Sequence, residues 1–433
     1  MSKSKRDELQ INLNLNVRGL VTSATLAINE KCALLKSDGK PVYRFGLGQS
    51  PFPVPDEVIQ TLKDNAFQKD YQPVRGLYTL REAVANFLSE TQKVDSSPKN
   101  IIIGPGSKEL IFLLQLVYYG DLIIPTPSWV SYSPQARIIG RHVHWVPTEK
   151  EENYRLSPEK LDMICRTDPK KPRVVILNYP ANPTGSSYST ERLKELAEVA
   201  RKYQVILVSD EIYGLLHYNN QHVSIARYYP EGTIISTGLS KWCGAGGWRL
   251  GAFSFPENLY WLRDAISTVA SETFTSTSAP IQYAAVTAFN GGIWMDDYLH
   301  HARRVLREIY KFISHKFDKL NISYPTVHGA FYIFPDFETY REKLKLKDIY
   351  TSVELCERLL EETGFAMLPG TDFGRQPEEL TTRIAFVDFN GAEALEASRK
   401  NNGIRPLDGD FVRNHCGNIS EAFEKLEQWL GDL

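Results

Sequence analysis

The chain has 433 residues, a formal net charge of −2 at pH 7, 42% hydrophobic residues and 24% charged residues. These values predict a globular protein with enough chain for two domains, and they argue against a surface that binds nucleic acid or an anionic membrane. The five cysteines are scattered without metal-ligand spacing, which predicts free thiols in a reducing compartment and no metal site.

The N-terminal segment, residues 1–16, is polar and contains no continuous apolar run, so it does not have the pattern of a secretory signal. No run along the chain has the length and apolar character of a membrane span, and we expect a cytoplasmic protein. Residues 21–35 lead into a helical pattern. Residues 43–53 predict a strand that breaks into a turn rich in proline and glycine, and this turn contains Gly48.

The next elements follow in quick succession. Residues 79–82, Thr-Leu-Arg-Glu, fit a capping box at the start of a helix. Residues 100–109 predict a strand, a glycine turn and a helix start, where the backbone N–H groups at Gly106 and Ser107 form a natural phosphate cradle. The turn is not the dinucleotide-binding fingerprint, because no third glycine follows at the required spacing.

Three further predicted strands each end at polar or aromatic side chains. Trp129 follows the strand that begins at Asp121, and Asn182 follows the strand that begins at Val174. Asp210 and Tyr213 follow the strand that begins at Val205. Side chains alternate along a strand, so Asp210 and the neighbouring Glu211 are expected to face opposite ways rather than to form an acid–base pair. Because ligands of open α/β sheets bind at the carboxyl ends of strands, these segments are expected to meet.

The segment 238–251, Gly-Leu-Ser-Lys-Trp-Cys-Gly-Ala-Gly-Gly-Trp-Arg-Leu-Gly, follows another short apolar strand. Lys241 is crowded by small residues, and desolvation would lower the pKa of its amine and keep it nucleophilic. Arg249 can grip a phosphate with paired hydrogen bonds. Taken alone, the pattern fits a glycine-rich surface loop equally well.

The C-terminal third predicts three helices at 261–270, 279–290 and 297–317, and then strands at 328–334 and 381–386. The region from Asn390 to Cys416 is polar and is expected to be irregular. Ser420 is expected to cap a last amphipathic helix, which has four apolar side chains on one face: Phe423, Leu426, Trp429 and Leu430.

The segment around Lys241 resembles the signature of the class I pyridoxal-phosphate aminotransferases of fold type I, and the resemblance extends from about Ser23 to Arg383. Within that family the chain is most similar to the bacterial-type aspartate aminotransferases. The resemblance implies an α/β fold, with a mostly parallel central sheet flanked by helices and a smaller α/β domain formed from both termini. The expected divisions are an arm and part of the small domain (1–50), the large cofactor-binding domain (51–300) and the small C-terminal domain (301–433).

The resemblance also implies roles at the cofactor ring. Lys241 is expected to form the Schiff base with pyridoxal 5'-phosphate and to move a proton from the substrate α-carbon to the cofactor. Asp210 is expected to keep the ring nitrogen protonated, so that the ring accepts electrons from the substrate. Asn182 and Tyr213 are expected to hydrogen-bond the ring 3-oxygen, and Trp129 to stack on the ring.

The phosphate and substrate positions come from the same resemblance. The further cofactor-binding residues are expected to be Gly106, Ser107, Lys108, Ser240 and Arg249, and Tyr71 is expected to reach the phosphate from the neighbouring subunit of a homodimer with shared active sites. The substrate is expected to contact Gly48, Trp129, Asn182, Lys108 and Arg383, of which Arg383 clamps the α-carboxylate.

Two departures from the family pattern lie in the signature segment. Gly238 replaces a serine often found three residues before the lysine, so one phosphate hydroxyl is missing. Ala245 and Gly246 replace the usual Met-Thr pair, which loosens that loop.

The expected reaction is amino transfer from an L-amino acid to a 2-oxo acid. Lys108, with Ser23 and Thr25, resembles positions that bind a side-chain carboxylate, which favours a dicarboxylic donor such as aspartate; otherwise Lys108 faces solvent or the cofactor phosphate. Alternatives are an aminotransferase for aromatic or other amino acids, or a lyase on the same scaffold. A cofactor-sensing transcription regulator is disfavoured, because the segment before Val21 is too short for a DNA-binding module.

Overall fold

A computed structural model gives the structure of the chain and describes residues 12–401, 407 and 409–433. The helices are α1 Ala24–Ser37, α2 Asp56–Asp64, α3 Tyr78–Gln92, α4 Ser107–Val117, α5 Tyr132–Ile138, α6 Pro158–Arg166, α7 Thr190–Lys202, α8 Tyr260–Thr273, α9 Ala279–Asn290, α10 Ile293–Lys319, α11 Arg341–Lys345, α12 Ser352–Thr363, α13 Gly391–Lys400, α14 Gly409–His415 and α15 Gly417–Gly431.

The strands are short and fall into three groups. Their bounds are β1 Tyr43–Arg44, β2 Ile101–Gly104, β3 Asp121–Thr126, β4 Val143–Pro147, β5 Arg173–Asn178, β6 Ile206–Asp210, β7 Thr233–Gly238, β8 Gly251–Ser254, β9 Tyr332–Ile333, β10 Phe365–Ala366, β11 Leu368–Pro369 and β12 Thr382–Ala385. The largest group is a seven-stranded sheet in the order β2-β8-β7-β6-β5-β3-β4.

The central sheet is mostly parallel and is covered by helices on both faces. In β5, Val174 and Ile176 pack with α4 and α8 on one face, whereas Val175 and Leu177 pack with α6 and α7 on the other. Strands buried on both faces need apolar residues at consecutive positions, which is why they appear in the sequence as continuous apolar runs. The predicted α/β fold with a mostly parallel central sheet is confirmed.

The strand β8 is the exception to the parallel arrangement, since it runs antiparallel to both of its neighbours, β2 and β7. Gly238 at the end of β7 therefore lies opposite Gly251 at the start of β8. A side chain at Gly251 would collide with the backbone of Ser107. This close approach brings the loop between β7 and β8 against the first turn of α4.

A smaller antiparallel sheet, in the order β11-β12-β9, and a parallel pair of β1 with β10 complete the strands. Tyr43 pairs with Phe365, and Ile28 of α1 packs against a small cluster that contains Leu360 and Ala366. Segments from both ends of the chain are thus joined in one layer. The domain boundaries at residues 50 and 300 stay predictions.

The predicted capping box at Thr79 and Glu82 is wrong. Helix α3 begins earlier, at Tyr78, with Leu77 at its N-cap and no capping side chain at that position. The acceptor comes instead from a distant part of the chain, because Gln282 Oε1 accepts from the Leu77 N–H at 2.7 Å. Tertiary contact has replaced the local cap.

Two C-terminal predictions also need correction. The region from Asn390 to Cys416 is not irregular throughout, since it contains α13 and α14, and the Asn390 side chain caps α13 by accepting from the Glu393 N–H. Ser420 is not a cap either, because α15 begins at Gly417 and the Ser420 hydroxyl donates to the Gly417 carbonyl at 3.0 Å. The predicted apolar face of α15 is buried.

Candidate active site

A cavity of about 460 Å³ lies at the carboxyl ends of β3, β5, β6 and β7, and the small sheet closes its other side. Most of the predicted site residues line it together, although they come from seven separate segments. These residues are Gly48, Ser107, Lys108, Trp129, Asn182, Asp210, Tyr213, Ser240, Lys241, Arg249 and Arg383.

The Lys241 amine points into this cavity and donates a hydrogen bond to the Gly48 carbonyl at 2.6 Å. Burial, followed by the nearby charges of Arg383 and Arg249, lowers the pKa of this amine to about 7, against the opposing effect of Asp210. A large fraction of the amine is therefore neutral near pH 7, as a nucleophile or a base requires.

The Asp210 carboxylate is 3% exposed at the end of β6. Its oxygens accept hydrogen bonds from the hydroxyls of Tyr132 at 2.6 Å and Ser236 at 3.1 Å. Burial raises the pKa of Asp210, whereas these two hydrogen bonds lower it. Both donors are neutral, so a cation placed beside the carboxylate would find a buried negative charge.

Asparagine side chains fix the loop after β5. Asn178 donates from Nδ2 to the Asp210 carbonyl at 2.8 Å, and its Oδ1 accepts from the Asn182 N–H at 2.7 Å. Asn182 Oδ1 accepts in turn from Arg383 Nη1 at 3.3 Å. The amide of Asn182 is thereby held between the central sheet and the small sheet.

Arg383 on β12 is 1% exposed and forms the opposite wall of the cavity. Its Nη2 donates to the Gly46 carbonyl, and its guanidinium lies 5.0 Å from the ring centroid of Tyr332. Within the described part of the chain its Nε has no hydrogen-bond partner. Burial lowers the pKa of this guanidinium, because it removes water from the charged form. Hydrogen bonds to a carboxylate in the cavity would stabilise that charge.

The remaining positive groups gather at the first turn of α4. Lys108 Nζ lies 5.2 Å from the ring centroid of Trp129, and burial lowers the pKa of this lysine. Arg249 has a positive φ of 54°, which is uncommon for a residue with a side chain. A side chain at Gly106 would collide with the Arg249 guanidinium. Glycine at position 106 therefore leaves the space in which Arg249 reaches the helix N-terminus.

Two of the predicted residues are not on the cavity wall. Gly106 contributes the space beside Arg249 described above. Tyr71 lies in the loop before α3 with 88% of its surface exposed, so it does not reach the cavity of its own chain. This placement leaves its predicted role with the neighbouring subunit untested.

Sequence reasoning assigned no role to Asn178, described above, and it missed three further residues that contact the site. Tyr132 donates to Asp210, Ser236 donates to the same carboxylate, and the Tyr332 hydroxyl lies 2.7 Å from that of Tyr213. Tyr132 follows Trp129 by three residues at the start of α5, and that spacing was a usable signal. The Tyr332 contact comes from the small sheet and has no local signature.

A larger cavity of about 720 Å³ lies elsewhere, between α1, α12 and α15. Its wall carries Lys31, Lys40 and Lys425 together with Glu361 and Asp432, so both signs of charge face it. None of the predicted site residues lines it. The predicted site residues therefore come together at the smaller cavity and not at this one.

The family profile described as "Aminotransferase class I and II" matches residues 40–395. The aspartate aminotransferase of Bacillus subtilis (strain 168) is 32% identical over 400 residues, which cover 90% of this chain and 98% of that protein. A probable aspartate/prephenate aminotransferase of Aquifex aeolicus is 31% identical over 396 residues, covering 89% and 97%.

The chain belongs to the class I and II aminotransferase family. Its fold agrees with this assignment, since the structure of the Thermus thermophilus aspartate aminotransferase with maleate superposes with a TM-score of 0.82 at 27% identity. That match covers 97% of this chain and 100% of the other. This aminotransferase is therefore a transferase that uses pyridoxal 5'-phosphate and catalyses transamination.

The cavity of this aminotransferase fits that cofactor on its own chemistry. The buried Asp210 carboxylate has neutral hydroxyl donors and would receive a protonated ring nitrogen. The other end offers Ser240, Arg249 and the first N–H groups of α4 for a phosphate. Lys241 lines the same cavity, with an amine pKa of about 7.

Proposed function

We propose that this aminotransferase transfers the amino group of a dicarboxylic L-amino acid such as aspartate to a 2-oxo acid. The observation that carries the dicarboxylic preference is the position of Lys108, whose ammonium lies over Trp129 on the cavity wall that also contains Thr25. The Ser23 hydroxyl lies 3.1 Å from that of Thr25 and supports it. A second substrate carboxylate would meet one cation and one hydroxyl there.

When bound, pyridoxal phosphate supplies an electron sink for the carbanion that forms at the substrate α-carbon. We assign the proton transfer to Lys241, whose neutral amine takes the proton from that carbon as a general base. Its low pKa favours this role near neutral pH. Asp210 holds the proton on the ring nitrogen, and Tyr132 and Ser236 hold Asp210 in place.

The substrate is oriented by the opposite wall. Arg383 binds the α-carboxylate through its guanidinium, which is already fixed by Asn182 and the Gly46 carbonyl. Tyr213 would supply a hydroxyl to the ring 3-oxygen, and its hydroxyl oxygen is held 2.7 Å from that of Tyr332. Because these groups are fixed before substrate binds, little entropy is lost on the way to the transition state.

The substrate proposal is tested by a panel of amino donors, with 2-oxoglutarate, oxaloacetate and prephenate as acceptors. Prephenate is included because the Aquifex relative is named for it. Lys108→Met should raise KM for aspartate about tenfold, roughly 1.4 kcal/mol, and leave KM for alanine nearly unchanged. A matched control is Lys194→Met, since Lys194 lies over Tyr228 outside the cavity.

A panel in which aromatic, branched or basic donors are best would contradict the dicarboxylic preference and leave the aminotransferase assignment intact. Product formation without any oxo acid would favour the lyase alternative instead.

The proposed assembly is a homodimer in which Tyr71 completes the phosphate site of its partner. The Tyr71 side chain is 88% exposed, and Phe67 and Tyr78, near it in the sequence, are exposed as well. These exposed aromatic side chains support the proposal that a second copy of the chain covers this surface. Mixing a Lys241→Ala chain with a Tyr71→Phe chain should restore part of the activity in heterodimers. A fully active monomer at low protein concentration would contradict this assembly.

We also propose a cytoplasmic location for this enzyme. The five cysteines, from Cys32 to Cys416, are free and buried, and such thiols suit a reducing compartment. No helix in the described part of the chain combines the length and the apolar character that a membrane span needs. Fractionation of the cells that make the protein tests the location.

A further inference from the structure

A second polar cluster lies directly behind the cavity, and the proposed mechanism does not use it. Glu211, which follows Asp210, is buried and accepts hydrogen bonds from the hydroxyls of Ser209 and Ser224. Its other oxygen lies 2.9 Å from His222 Nε2. The side chains of Glu211 and His222 are each 4% exposed.

These contacts determine the tautomer of His222. A carboxylate oxygen accepts, so the Nε2 of His222 donates, and in a neutral ring the Nδ1 is the acceptor. This Nδ1 is buried and has no partner within the described residues. Trp242 is 1% exposed, and its Nε1, a donor, is likewise buried without a partner in that part of the chain.

One small cavity of about 20 Å³ connects the two side chains, because both His222 and Trp242 line it. The volume matches a single water molecule, which needs about 10–15 Å³ and two to four polar partners. Thr237 and Gln92 also line the cavity and bring further polar groups. His222 and Trp242, each with a buried nitrogen that has no partner in the described part of the chain, thus line one water-sized space.

We propose that this cavity binds one water molecule, which accepts a hydrogen bond from Trp242 Nε1 and donates one to His222 Nδ1. The resulting chain, Glu211–His222–water–Trp242, joins the residue that follows Asp210 to the residue that follows Lys241. His222 and Trp242 are thereby positioning residues for the two segments that hold the cofactor. This functional part rests on the role proposed above for Lys241.

The water itself is tested in a crystal structure of the holoenzyme at a resolution that shows ordered solvent. One density peak within about 2.7–3.2 Å of both nitrogens is the expected result. An empty cavity, or a Trp242 indole paired with another acceptor, would overturn the proposal. This outcome does not depend on which lysine binds the cofactor, so it is separable from the proposed function.

The positioning role is tested by cofactor affinity, measured by equilibrium dialysis of pyridoxal phosphate. Trp242→Phe should raise the Kd of the cofactor roughly tenfold, which corresponds to about 1.4 kcal/mol. Trp429→Phe is the matched control, because the buried Trp429 Nε1 donates to Glu362 at 2.6 Å on α12, remote from the site. Equal affinities of the two variants would overturn the positioning role.

A second pair covers the case in which Trp242→Phe does not fold. His222→Gln keeps a donor for Glu211 and an acceptor for the water, so its cofactor affinity should stay near wild type. His222→Leu keeps neither, and its affinity should fall as in Trp242→Phe. Equal affinities for these two variants would overturn the role.

If Lys241→Ala still gave a borohydride-reducible cofactor adduct at the wild-type level, the proposed function would fail while the water site stood.

Discussion

Asp210 and Arg383 are buried almost equally, at 3% and 1% exposure, yet they carry opposite charges on different sheets. Asp210 accepts from hydroxyl groups of Tyr132 and Ser236. Arg383 donates to the Gly46 carbonyl and the Asn182 amide. Each charge is thus hydrogen-bonded to neutral groups. Such an arrangement costs desolvation energy in the free protein, and a ligand with a cation at one end and an anion at the other offsets it.

The comparison teaches that the two walls divide the work. In the proposed function, the central sheet offers a negative charge to the cofactor ring, and the small sheet offers a positive charge to the substrate carboxylate. A variant on the first wall should therefore affect the chemical step, whereas a variant on the second should affect substrate binding. The predictions below test that division, beginning with the largest effect.

Asp210→Asn should lower kcat at least about 10³-fold, roughly 4 kcal/mol, because it keeps the shape of the side chain and removes the charge that holds the ring proton. Steady-state kinetics with saturating donor measures it. Asp388→Asn is the control, since Asp388 is also buried but pairs with Arg44 at 3.3 Å outside the cavity. A loss below about tenfold would remove Asp210 from this role.

Arg383→Lys should raise KM for every amino donor about 10²-fold, roughly 2.7 kcal/mol, because an ammonium cannot hold a carboxylate in bidentate geometry. The value of kcat at saturation should change much less than in Asp210→Asn. Arg341→Lys, in an ion pair with Glu338 away from the cavity, serves as the control. A rise in KM for dicarboxylic donors alone would mean that Arg383 does not bind the α-carboxylate, which every donor has.

Tyr132→Phe should lower kcat about tenfold, since it removes one of the hydrogen bonds that stabilise the Asp210 carboxylate. That hydrogen bond lowers the pKa of Asp210, so its loss raises this pKa. The carboxylate then becomes protonated at a higher pH as the solution is acidified. The acidic limb of the kcat profile should therefore move upward in pH. An unchanged limb would mean that Tyr132 acts through packing alone.

The central-sheet half of the site was predictable because its residues follow strands with strong signals. Apolar runs such as Val174–Leu177 define buried strands, and the parallel arrangement brings the residues after their ends together. Asn182, Asp210 and Lys241 were found in this way, with the family resemblance supplying their roles. Local sequence patterns are thus sufficient to predict the site residues that follow the parallel strands of the central sheet.

The contacts that cross between segments were not predictable in the same way. Tyr332 meets Tyr213 across a gap of 119 residues, and Gln282 supplies the acceptor at the start of α3 from 205 residues away. The polar composition of the segment that forms α13 predicts irregular structure, and this prediction is wrong. Yet its alanines favour a helix, and Asn390 caps it. Local sequence shows what a segment favours, and tertiary contacts decide where it ends.

The smallest expected effect concerns the pH dependence of cofactor attachment to the apoenzyme. An amine reacts with an aldehyde in its neutral form, and the pKa of Lys241 is about 7. Between pH 7 and 9 the neutral fraction of such an amine rises only about twofold, whereas an ordinary lysine would give about 100-fold. Stopped-flow absorbance after mixing apoenzyme with pyridoxal phosphate measures the rate. Arg383→Gln removes a positive charge that lowers this pKa, so its midpoint should move upward and the change between pH 7 and 9 should grow. A wild-type rate that climbs steadily to pH 10 would contradict the lowered pKa of Lys241, and an Arg383→Gln midpoint equal to that of wild type would show that Arg383 does not contribute to it.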